Sequence, residues 1–304
     1  MKISGFTMVR NAEKFYFPVK ESIESILPIV DEFIVALGDN DETDHTREII
    51  EAIDSDKIKI FDRVWDKEKF LNSEIFAYET NFALSQCTGD WCFYIQADEV
   101  VHEEDLAIIK SACEENLNNK QVDALLFSYL HFWGDYNHYL PFHGWYKNEM
   151  RIVRNNIGVK SIKDAQSFRK NQNEKLNAKP INARIFHYGW VRPPHLMQSK
   201  KKEHDSIHHS YEKVKHLYEL KPNEFDYGSL GRIPVYKGTH PAIMRDYIAR
   251  LDWQRKLNYS KKKVKLNRSL AKHERLKYRI LSFFENTFNR GKYIFGGYSN
   301  WNKV

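Results

Sequence analysis

Short hydrophobic runs alternate with longer amphipathic stretches over the first 130 or so residues of the chain. Four runs have the length and composition of buried strands, at residues 3–9, 32–37, 57–61 and 91–95. Stretches with helical spacing lie between and after them, at residues 15–26, 43–53, 74–86 and 103–114. Strands that alternate with helices predict a mostly parallel sheet covered on both faces. The pattern therefore predicts an α/β fold.

Polar and acidic side chains follow three of the predicted strands. Residues 7–11 end the first strand, Asp39 and Asp41 follow the second, and Asp98 and Glu99 follow the fourth. In a doubly wound sheet the carboxyl ends of neighbouring strands meet at one edge, where ligands bind. Carboxylates at that edge suit a hard divalent cation that bridges the phosphates of a nucleotide. Taken alone, Asp98 and Glu99 fit an acidic turn without a ligand equally well.

The composition is that of an ordinary water-soluble enzyme of 304 residues. No apolar run reaches the 18 residues of a membrane span, and the N-terminus leads directly into a predicted strand, so we expect a cytoplasmic protein. Neither Gly-x-Gly-x-x-Gly nor Gly-x-x-x-x-Gly-Lys-Ser/Thr occurs. Their absence argues against a dinucleotide dehydrogenase and against a P-loop enzyme.

Positive charge is concentrated near the C-terminus. Residues 251–304 contain 14 Lys or Arg against 3 Asp or Glu, a local net charge of +11 in a chain whose total is +6. Such a segment favours an anionic partner, which the charge alone leaves open between membrane lipid, a polyanionic acceptor and nucleic acid. The basic run 261–265 precedes apolar residues 280–284, a pattern compatible with peripheral contact at an anionic membrane or with a solvated helix. No nucleic-acid-binding module is recognisable, so we expect no nucleic-acid partner.

Three motifs lie at the ends of predicted strands. Met8-Val9-Arg10-Asn11-Ala12-Glu13 ends the first strand and leads into a helix, and Asp39-Asn40-Asp41-Glu42-Thr43-Asp44-His45-Thr46 forms the loop after the second. The stretch Gly89-Asp90-Trp91 to Gln96-Ala97-Asp98-Glu99 contains the fourth strand. In this order they resemble three motifs of the family 2 glycosyltransferases, which have the GT-A fold: the opening strand-to-helix signature, the Asp-x-Gly-Ser-Thr-Asp-x-Thr loop and the strand that ends in Asp-Ala-Asp-Glu. The motifs occur in the family's order and cover about residues 3–110.

The resemblance implies a site for a UDP- or GDP-linked sugar with Mn²⁺ or Mg²⁺ as cofactor. Asp39 would contact the base, and residues 7–10, with Thr7, Val9 and Arg10, would line the base and ribose. Asp98 would bind the metal. The other implied donor contacts are Asp41, Asn81 in the helix before the fourth strand, and Gln96. Gln96 replaces the first Asp of the family's Asp-x-Asp motif, so the site carries one negative charge fewer, although an amide oxygen still offers a neutral ligand.

The second half of the chain supplies the remaining candidate groups. Residues 149–154 resemble the family's strand with Arg-x-Phe-Arg, and Asp164 follows where the family places its general base. An inverting transfer needs one carboxylate to deprotonate the acceptor hydroxyl, and we expect Asp164, or else Glu149, to act in this way. His187 follows a predicted strand and is expected to complete the metal shell beside Asp98. A turn-capping Asp164 and a structural His187 are the alternatives.

Aromatic residues are concentrated between positions 127 and 146. They alternate with His and Asp, so a saccharide-binding loop that stacks on sugar C–H faces is one interpretation, and core packing is another. We expect a GT-A domain over residues 1–240, with a nucleotide-sugar-binding half at 1–115 and an acceptor and catalytic half at 116–240. A basic helical extension at 241–304 follows.

These features together predict a metal-assisted hexosyltransferase. It would move a sugar from a nucleotide diphosphate donor to a glycan or glycolipid acceptor, as in polysaccharide biosynthesis. A non-catalytic saccharide- or nucleotide-binding protein of the same fold is the alternative, suggested by Gln96.

Overall fold

A ten-stranded sheet forms the centre of the computed structural model, which describes residues 1–66, 74–208, 211–219, 221–262 and 265–304. Its strands are β1 Ile3–Val9, β2 Glu32–Leu37, β3 Ile58–Asp62, β4 Trp91–Tyr94, β5 Glu99–Val101, β6 Ala124–Trp133, β7 Asp135–Tyr139, β8 Asn148–Arg154, β11 Asn177–Trp190 and β12 Asn302–Lys303. The main path runs β12-β11-β6-β8-β4-β1-β2-β3, while β5 pairs with β11 and β7 with β6. A separate two-stranded sheet joins β9 Lys160–Ile162 to β10 Ser167–Arg169.

The first four strands confirm the predicted alternation. β3, β2, β1 and β4 are all parallel neighbours, and only the insertion of β8 between β4 and β6 runs antiparallel on the main path. β2 shows why both faces are covered, because Phe33 and Val35 belong to one buried cluster while Ile34 and Ala36 belong to another. Side chains of period two that are buried on both faces are typical of a parallel sheet between helical layers.

Eight α-helices flank the sheet or follow it in the part of the chain that the structure describes. They are α1 Val19–Glu24, α2 Thr46–Glu51, α3 Glu74–Ser85, α4 Leu106–Asn116, α5 Pro194–His208, α6 Tyr211–Glu219, α7 Arg245–Ala249 and α8 Leu276–Phe288. The first helix is shorter than the predicted 15–26, because Tyr16 has φ 55° and Pro18 takes the cap position. No helix among the described residues is both long and apolar enough to cross a bilayer.

The loops at the carboxyl edge of the sheet are tied to one another by side chains. Asn11, with φ 54°, accepts a hydrogen bond from the Asp41 amide (2.7 Å), and the Thr46 hydroxyl accepts one from the Ala12 amide (2.7 Å). Asp44 accepts from the Thr46 amide (3.0 Å) and from the Lys14 amide (2.9 Å). Asp44 therefore joins the start of α2 to the loop after β1.

The C-terminal segment returns to the sheet. Helix α8 is packed through Glu285, which accepts from the His143 ring (2.7 Å) and from Lys147 Nζ (2.7 Å). Beyond α8, Trp301 is buried and β12 pairs in parallel with the start of β11. The predicted helical extension thus contains the 13-residue helix α8, short turns and an edge strand. Lys263, part of the basic run, lies outside the described residues.

Candidate active site

Two cavities lie at the carboxyl edge of the sheet. The smaller, of about 220 Å³, is lined by the end of β1, by the segment after β4, and by Asp164 and Lys200. The larger, of about 610 Å³, is lined by β6, by β11 and by the basic C-terminal residues 267–272 and Arg275. Asp98 lines the first cavity and His187 lines the second. Because Asp98 Oδ2 is 3.8 Å from His187 Nε2, the two cavities meet at this pair.

Pairing between the strands brings Asp98 and His187 together. β5 begins at Glu99 and runs antiparallel to β11, with Glu99 opposite His187. The Tyr188 amide donates to the Asp98 carbonyl (2.8 Å), which fixes the backbone of Asp98 beside β11. Both side chains are largely buried. The sequence analysis expected His187 beside Asp98, but it did not predict that the pairing of β5 with β11 would bring them together.

A histidine relay fixes the protonation of His187. His131 Nε2 lies 2.7 Å from the Tyr146 carbonyl oxygen, which only accepts, so Nε2 must carry the proton. Burial lowers the pKa of His131 well below its ordinary value and also lowers the pKa of His187, so both rings are neutral. His131 Nδ1 then accepts from His187 Nδ1 (3.0 Å). His187 Nε2 is therefore left with a lone pair that faces the Asp98 carboxylate.

Gly189 leaves a space between these two side chains. A Cβ atom at Gly189 would lie 2.5 Å from Asp98 Oδ2 and 2.6 Å from His187 Nε2. Contacts this short would displace one of the two side chains, so only glycine lets both approach the strand here. Asp98 Oδ2 and His187 Nε2, 3.8 Å apart, can both reach one divalent cation, which binds carboxylate and imidazole ligands at about 2.0–2.2 Å. An anionic oxygen and a lone pair that face one space repel each other unless a cation lies between them. The donor set therefore fits Mn²⁺ or Mg²⁺.

The described residues supply two ligands of this kind. No cluster of three or more His, Cys, Asp or Glu side chains suited to a metal occurs among them. Since divalent cations prefer about six ligands, most of the shell would come from a ligand or from water.

Two cations surround the same carboxylate. Lys200 Nζ is 3.5 Å from Asp98 Oδ2 and donates to the Gly189 carbonyl (3.0 Å), and Arg192 donates to that carbonyl as well (3.0 Å). Burial raises the pKa of Asp98, but the positive charges of Lys200 and Arg192 are among the influences that lower it by more, so the carboxyl is ionised. Burial together with Arg192 lowers the pKa of Lys200 to about 7. Positive charge is thus available to an anion in the smaller cavity.

The loop after β2 lies beside the opening of the smaller cavity. Arg10 lines the cavity, donates to the Asp39 carbonyl (2.9 Å) and lies 3.4 Å from Asp39 Oδ1 and 3.8 Å from Asp41 Oδ1. Asp39 Oδ1 also accepts from the Trp65 amide (3.1 Å). Lys14 pairs with Asp41, and its hydrogen bond is the main cause of a lowered Asp41 pKa. Asp39 and Asp41 are therefore held at the rim.

The remaining predicted donor contacts fall into two groups. Val9 and Gln96 line the smaller cavity. Thr7 is buried within β1 and Asn81 lies in α3, and neither contributes to the cavity walls. Asn81 instead exchanges two hydrogen bonds with the backbone of Ser161 (2.7 and 3.0 Å), which anchors the segment that leads to Asp164.

Glu99 has a structural role, contrary to the interpretation of Asp98 and Glu99 as a pair of site carboxylates. Its two oxygens accept from Arg151 Nε and Nη2, each at 2.8 Å, in a fully buried ion pair. The Tyr129 hydroxyl also donates to Glu99 (2.7 Å). With every oxygen engaged by a neighbouring side chain, Glu99 fixes β8 against β5. It does not line either cavity.

Asp164 lies in a strained turn at the smaller cavity. Its neighbours Lys163 and Ala165 have φ 55° and 56°, a region that non-glycine residues seldom occupy. The Ala165 carbonyl accepts from Gln96 Nε2 (3.4 Å), and Gln96 also donates to the Tyr94 hydroxyl (3.3 Å). The exposed Asp164 carboxylate is therefore presented to the cavity by a turn that Gln96 helps to hold.

Glu149 lies behind the larger cavity. Its side chain is fully buried, and Oε1 accepts from the Ser167 hydroxyl (3.0 Å) and from the Met150 amide (3.0 Å). Burial raises the pKa of Glu149 to about 7, although Arg151 opposes the change. Glu149 does not contribute to the described walls of either cavity. Its position gives it no direct access to a substrate.

The aromatic segment 127–146 is built differently from the expected loop. Most of it forms β6 and β7, and Phe132 and Tyr136 belong to a buried aromatic cluster. Trp133, Trp145 and Tyr146 line the larger cavity. Some side chains of the segment therefore pack in the core and others line the larger cavity, since side chains on a strand alternate between two faces.

Several site residues escaped the sequence analysis. His131, Gly189, Arg192 and Lys200 carried no local motif, although the sequence His187-Tyr188-Gly189-Trp190 contained a glycine beside a predicted ligand. A glycine within a strand is a signal of close approach by another group. Residues 267–272 and Arg275 line the larger cavity because the C-terminal part of the chain returns to the sheet, and no local sequence pattern predicts that return.

A mostly parallel sheet with substrate-sized cavities at its carboxyl edge defines the class of α/β proteins that bind ligands at the strand ends. Within this class, the profile of glycosyl transferase family 2 matches residues 11–171, just over half of the chain. The chain belongs to that family. The predicted family is thereby confirmed, as is the predicted α/β fold of GT-A type with its helix-containing C-terminal segment.

Solved structures with similar regions include S. aureus TarS 1-349 in complex with UDP-GlcNAc, at 24% identity and a TM-score of 0.31, over 42% of this chain and 34% of that one. Another is glucosyl-3-phosphoglycerate synthase from Mycobacterium tuberculosis in complex with Mn²⁺, UDP and phosphoglyceric acid. It has 18% identity and a TM-score of 0.30 over 42% of this chain and 43% of that one. The chain therefore spans about a third to two fifths of these proteins. No curated protein matched the sequence.

Proposed function

We propose that the protein is a glycosyltransferase that moves a hexose from a UDP- or GDP-linked sugar to a hydroxyl of a glycan or glycolipid. The observation that carries this proposal is the meeting of two cavities at Asp98 and His187. A group transfer requires two substrates whose reacting atoms approach to within about 3–3.5 Å. A donor in the smaller cavity and an acceptor in the larger one would meet at this pair.

The smaller cavity has the chemistry for a nucleotide diphosphate. Asp39 and Arg10 lie at its rim for the base and ribose, and Lys200 and Arg192 place positive charge near Asp98. Asp98 and His187 Nε2 would hold Mn²⁺ or Mg²⁺ together with oxygens of the donor. When bound, such an ion neutralises negative charge on the leaving diphosphate. Family membership supports this assignment.

Asp164 is our candidate for the general base. Its carboxylate would accept the proton of the acceptor hydroxyl while that oxygen forms a bond to the anomeric carbon. The bond from this carbon to the diphosphate oxygen breaks on the opposite face, which inverts the configuration. Placement in the donor cavity and a backbone strained on both sides support Asp164 over Glu149.

Membrane proximity forms a second part of the proposal. Seven large apolar side chains on α8 and just after it are exposed: Leu276, Ile280, Phe283, Phe284, Phe288, Ile294 and Phe295. Basic residues such as Lys277 and Lys292 flank this apolar face. An amphipathic helix with basic flanks suits the interface of an anionic bilayer. We therefore propose a cytoplasmic protein that binds the inner face of a membrane through α8, where a glycolipid acceptor of polysaccharide biosynthesis would be presented.

The central test compares Asp98→Asn with wild type. We expect wild-type protein to bind UDP or GDP in a Mn²⁺-dependent manner and to hydrolyse a nucleotide sugar slowly without acceptor. Asp98→Asn should lose the metal-dependent part of binding and the hydrolysis while its unfolding temperature without ligand is retained. Asp54→Asn removes the same charge at an exposed position outside both cavities and serves as the matched control.

Two outcomes would contradict the proposal. Wild-type hydrolysis rates in Asp98→Asn would remove Asp98 from the site. Metal-dependent nucleotide binding by wild type without hydrolysis of any UDP- or GDP-sugar would favour the non-catalytic binding protein.

A further inference from the structure

The larger cavity combines aromatic walls with a basic rim. Trp133 stacks on Trp190 with ring centroids 4.9 Å apart, and Trp145 packs against both edge to face, at 5.8 and 5.7 Å. Trp133 is buried behind the other two rings, while the partly exposed rings of Trp145 and Trp190 offer surfaces for the apolar C–H face of a sugar or polyol. Trp145 Nε1 is buried and has no hydrogen-bond partner among the described residues, so one donor of the wall is unsatisfied.

Five cationic side chains line the same cavity against two acidic ones. The cations are Lys201, Lys221, Arg268, Lys272 and Arg275, and the acids are Glu224 and Asp226. The acids are engaged elsewhere, because Glu224 pairs with Lys256 and the Asp226 carboxylate accepts from the amides of Gly228 (2.8 Å) and Asn267 (3.3 Å). The lining therefore keeps an excess of positive charge.

Three of these cations have no acidic partner. Among the described residues, no carboxylate lies within 4.0 Å of Lys201, Lys272 or Arg275. Burial lowers the pKa of Lys201, and the nearby cations Lys221 and Arg268 lower it further while Asp205 opposes them. Mutual repulsion of this kind is relieved when an anion binds between the cations.

We propose that this cavity binds an acceptor in which sugar or polyol units carry phosphate or carboxylate groups. The inference rests on the proposed glycosyltransferase function and specifies its acceptor. Trp145 and Trp190 would stack on the sugar units, and Lys201, Lys272 and Arg275 would bind the anions. A neutral glycan would leave these cations unpaired, whereas charge-assisted hydrogen bonds to phosphate or carboxylate are among the strongest available.

The position of the cavity agrees with this role. Its inner end is formed by His131, Gln166 and His187, and His187 is the residue that contacts Asp98. A sugar hydroxyl at this end would lie next to the donor cavity, while the anionic groups of the same chain extend toward the basic C-terminal residues. The basic stretch 267–275 thus faces a substrate cavity, and the apolar face of α8 is left for other contacts.

The test measures the affinity of wild-type protein for three matched probes by quenching of tryptophan fluorescence. The probes are a neutral disaccharide, its phosphorylated form and a disaccharide that contains a uronic acid. We expect the charged probes to bind at least about tenfold more tightly than the neutral one, with an advantage that declines as salt is added. The two charged probes distinguish phosphate from carboxylate.

A double variant separates the cavity from general surface charge. Lys272→Gln with Arg275→Gln should reduce the advantage of the charged probes about tenfold and leave the affinity for the neutral disaccharide within about twofold. Lys277→Gln with Lys292→Gln removes two exposed charges outside the cavity and should change neither. Equal loss in both double variants would overturn the inference.

Two further results would overturn it without affecting the proposed function. If wild-type protein hydrolyses a nucleotide sugar and yet binds neutral and charged disaccharides equally well, only the acceptor class is wrong. Tighter binding of a short single-stranded oligonucleotide than of the phosphorylated disaccharide would identify a different polyanion. If charged disaccharides bind as expected but no nucleotide sugar is hydrolysed, the ligand class stands and the transferase proposal fails.

Discussion

Substitution of Gly189 by alanine tests the space between Asp98 and His187 directly. The added methyl carbon would lie 2.5 Å from Asp98 Oδ2 and 2.6 Å from His187 Nε2, so it would crowd both of the proposed metal ligands. Neither side chain is removed, and no charge changes. The variant therefore tests the effect of filling the space between Asp98 and His187 while both proposed ligands are kept.

The expected effect can be worked out as a shift in unfolding temperature. A ligand at 100 times its dissociation constant raises stability by about 2.7 kcal/mol. For a chain of 304 residues, with an unfolding entropy of about 2.1 cal/mol/K per residue, this corresponds to about 4 °C. We expect wild-type protein with UDP to gain about this much when saturating Mn²⁺ is added, and Gly189→Ala to gain almost nothing.

The added methyl group also has a cost without ligand. Overpacking of a buried site destabilises a protein by about 1–3 kcal/mol, or roughly 2–5 °C here. Gly238→Ala is the control, because its Cβ would contact the Tyr236 hydroxyl at an exposed position outside both cavities. The control should retain the full metal-dependent shift.

Calorimetric titration of Mn²⁺ in the presence of UDP provides a second readout for the same variants. A Gly189→Ala protein that keeps the wild-type metal-dependent shift and affinity would refute the assignment of the metal to this space. The lone pair of His187 Nε2 would then need another explanation.

Three further predictions concern other parts of the molecule. Asp39→Ala should weaken nucleotide binding with or without Mn²⁺, because Asp39 lies at the rim beside Arg10 rather than at the metal position, and a loss seen by calorimetry only with metal would contradict this. Burial lowers the pKa of His273 to about 4 from 6.5, so between these values the unfolded chain binds a proton that the folded protein does not. Stability should therefore fall by up to about 3 kcal/mol as the pH decreases from 6.5 to 4. Denaturant titrations should show this fall and its reduction in His273→Phe, and an unchanged pH dependence in the variant would disprove the assignment. Phe283→Ser with Phe284→Ser should release the protein from anionic vesicles at low salt, whereas equal sedimentation of wild type with neutral and anionic vesicles would contradict the electrostatic part of the proposal.

The first half of the fold was predictable because local periodicity decides it. Strands β1, β2 and β4 are short runs buried on both faces, and β3 is a partly exposed edge strand that still has an apolar run, while the intervening helices follow from spacing and turn residues. The prediction was less accurate where backbone conformation overrides periodicity, as at Tyr16 before α1. The aromatic segment after residue 127 was ambiguous because rings in a strand and rings in a binding loop have the same composition.

The candidate site was only partly predictable because its chemistry depends on partners distant in sequence. Asp98 and Glu99 are adjacent and both acidic, yet Arg151, which lies 52 positions after Glu99, pairs with Glu99 and not with Asp98. The relay from His131 to His187 spans 56 positions. The motif resemblance drew attention to Glu99 and His187. Only the pairing of the strands showed that Arg151 and His131 are their partners.

Helix α5 is a wall shared by the two cavities. Lys200 lines the smaller cavity, and the adjacent Lys201 lines the larger one. On the same helix, Glu203 Oε1 lies 3.3 Å from Nη1 of Arg10, which also lines the smaller cavity. A ligand that binds in one cavity and shifts α5 therefore changes the wall of the other cavity as well. By thermodynamic linkage, the factor by which one substrate alters the affinity of the other must be the same in both directions. The mutual effect of donor and acceptor on each other's affinity would thus depend on α5. It would have the same size whether the donor or the acceptor is bound first.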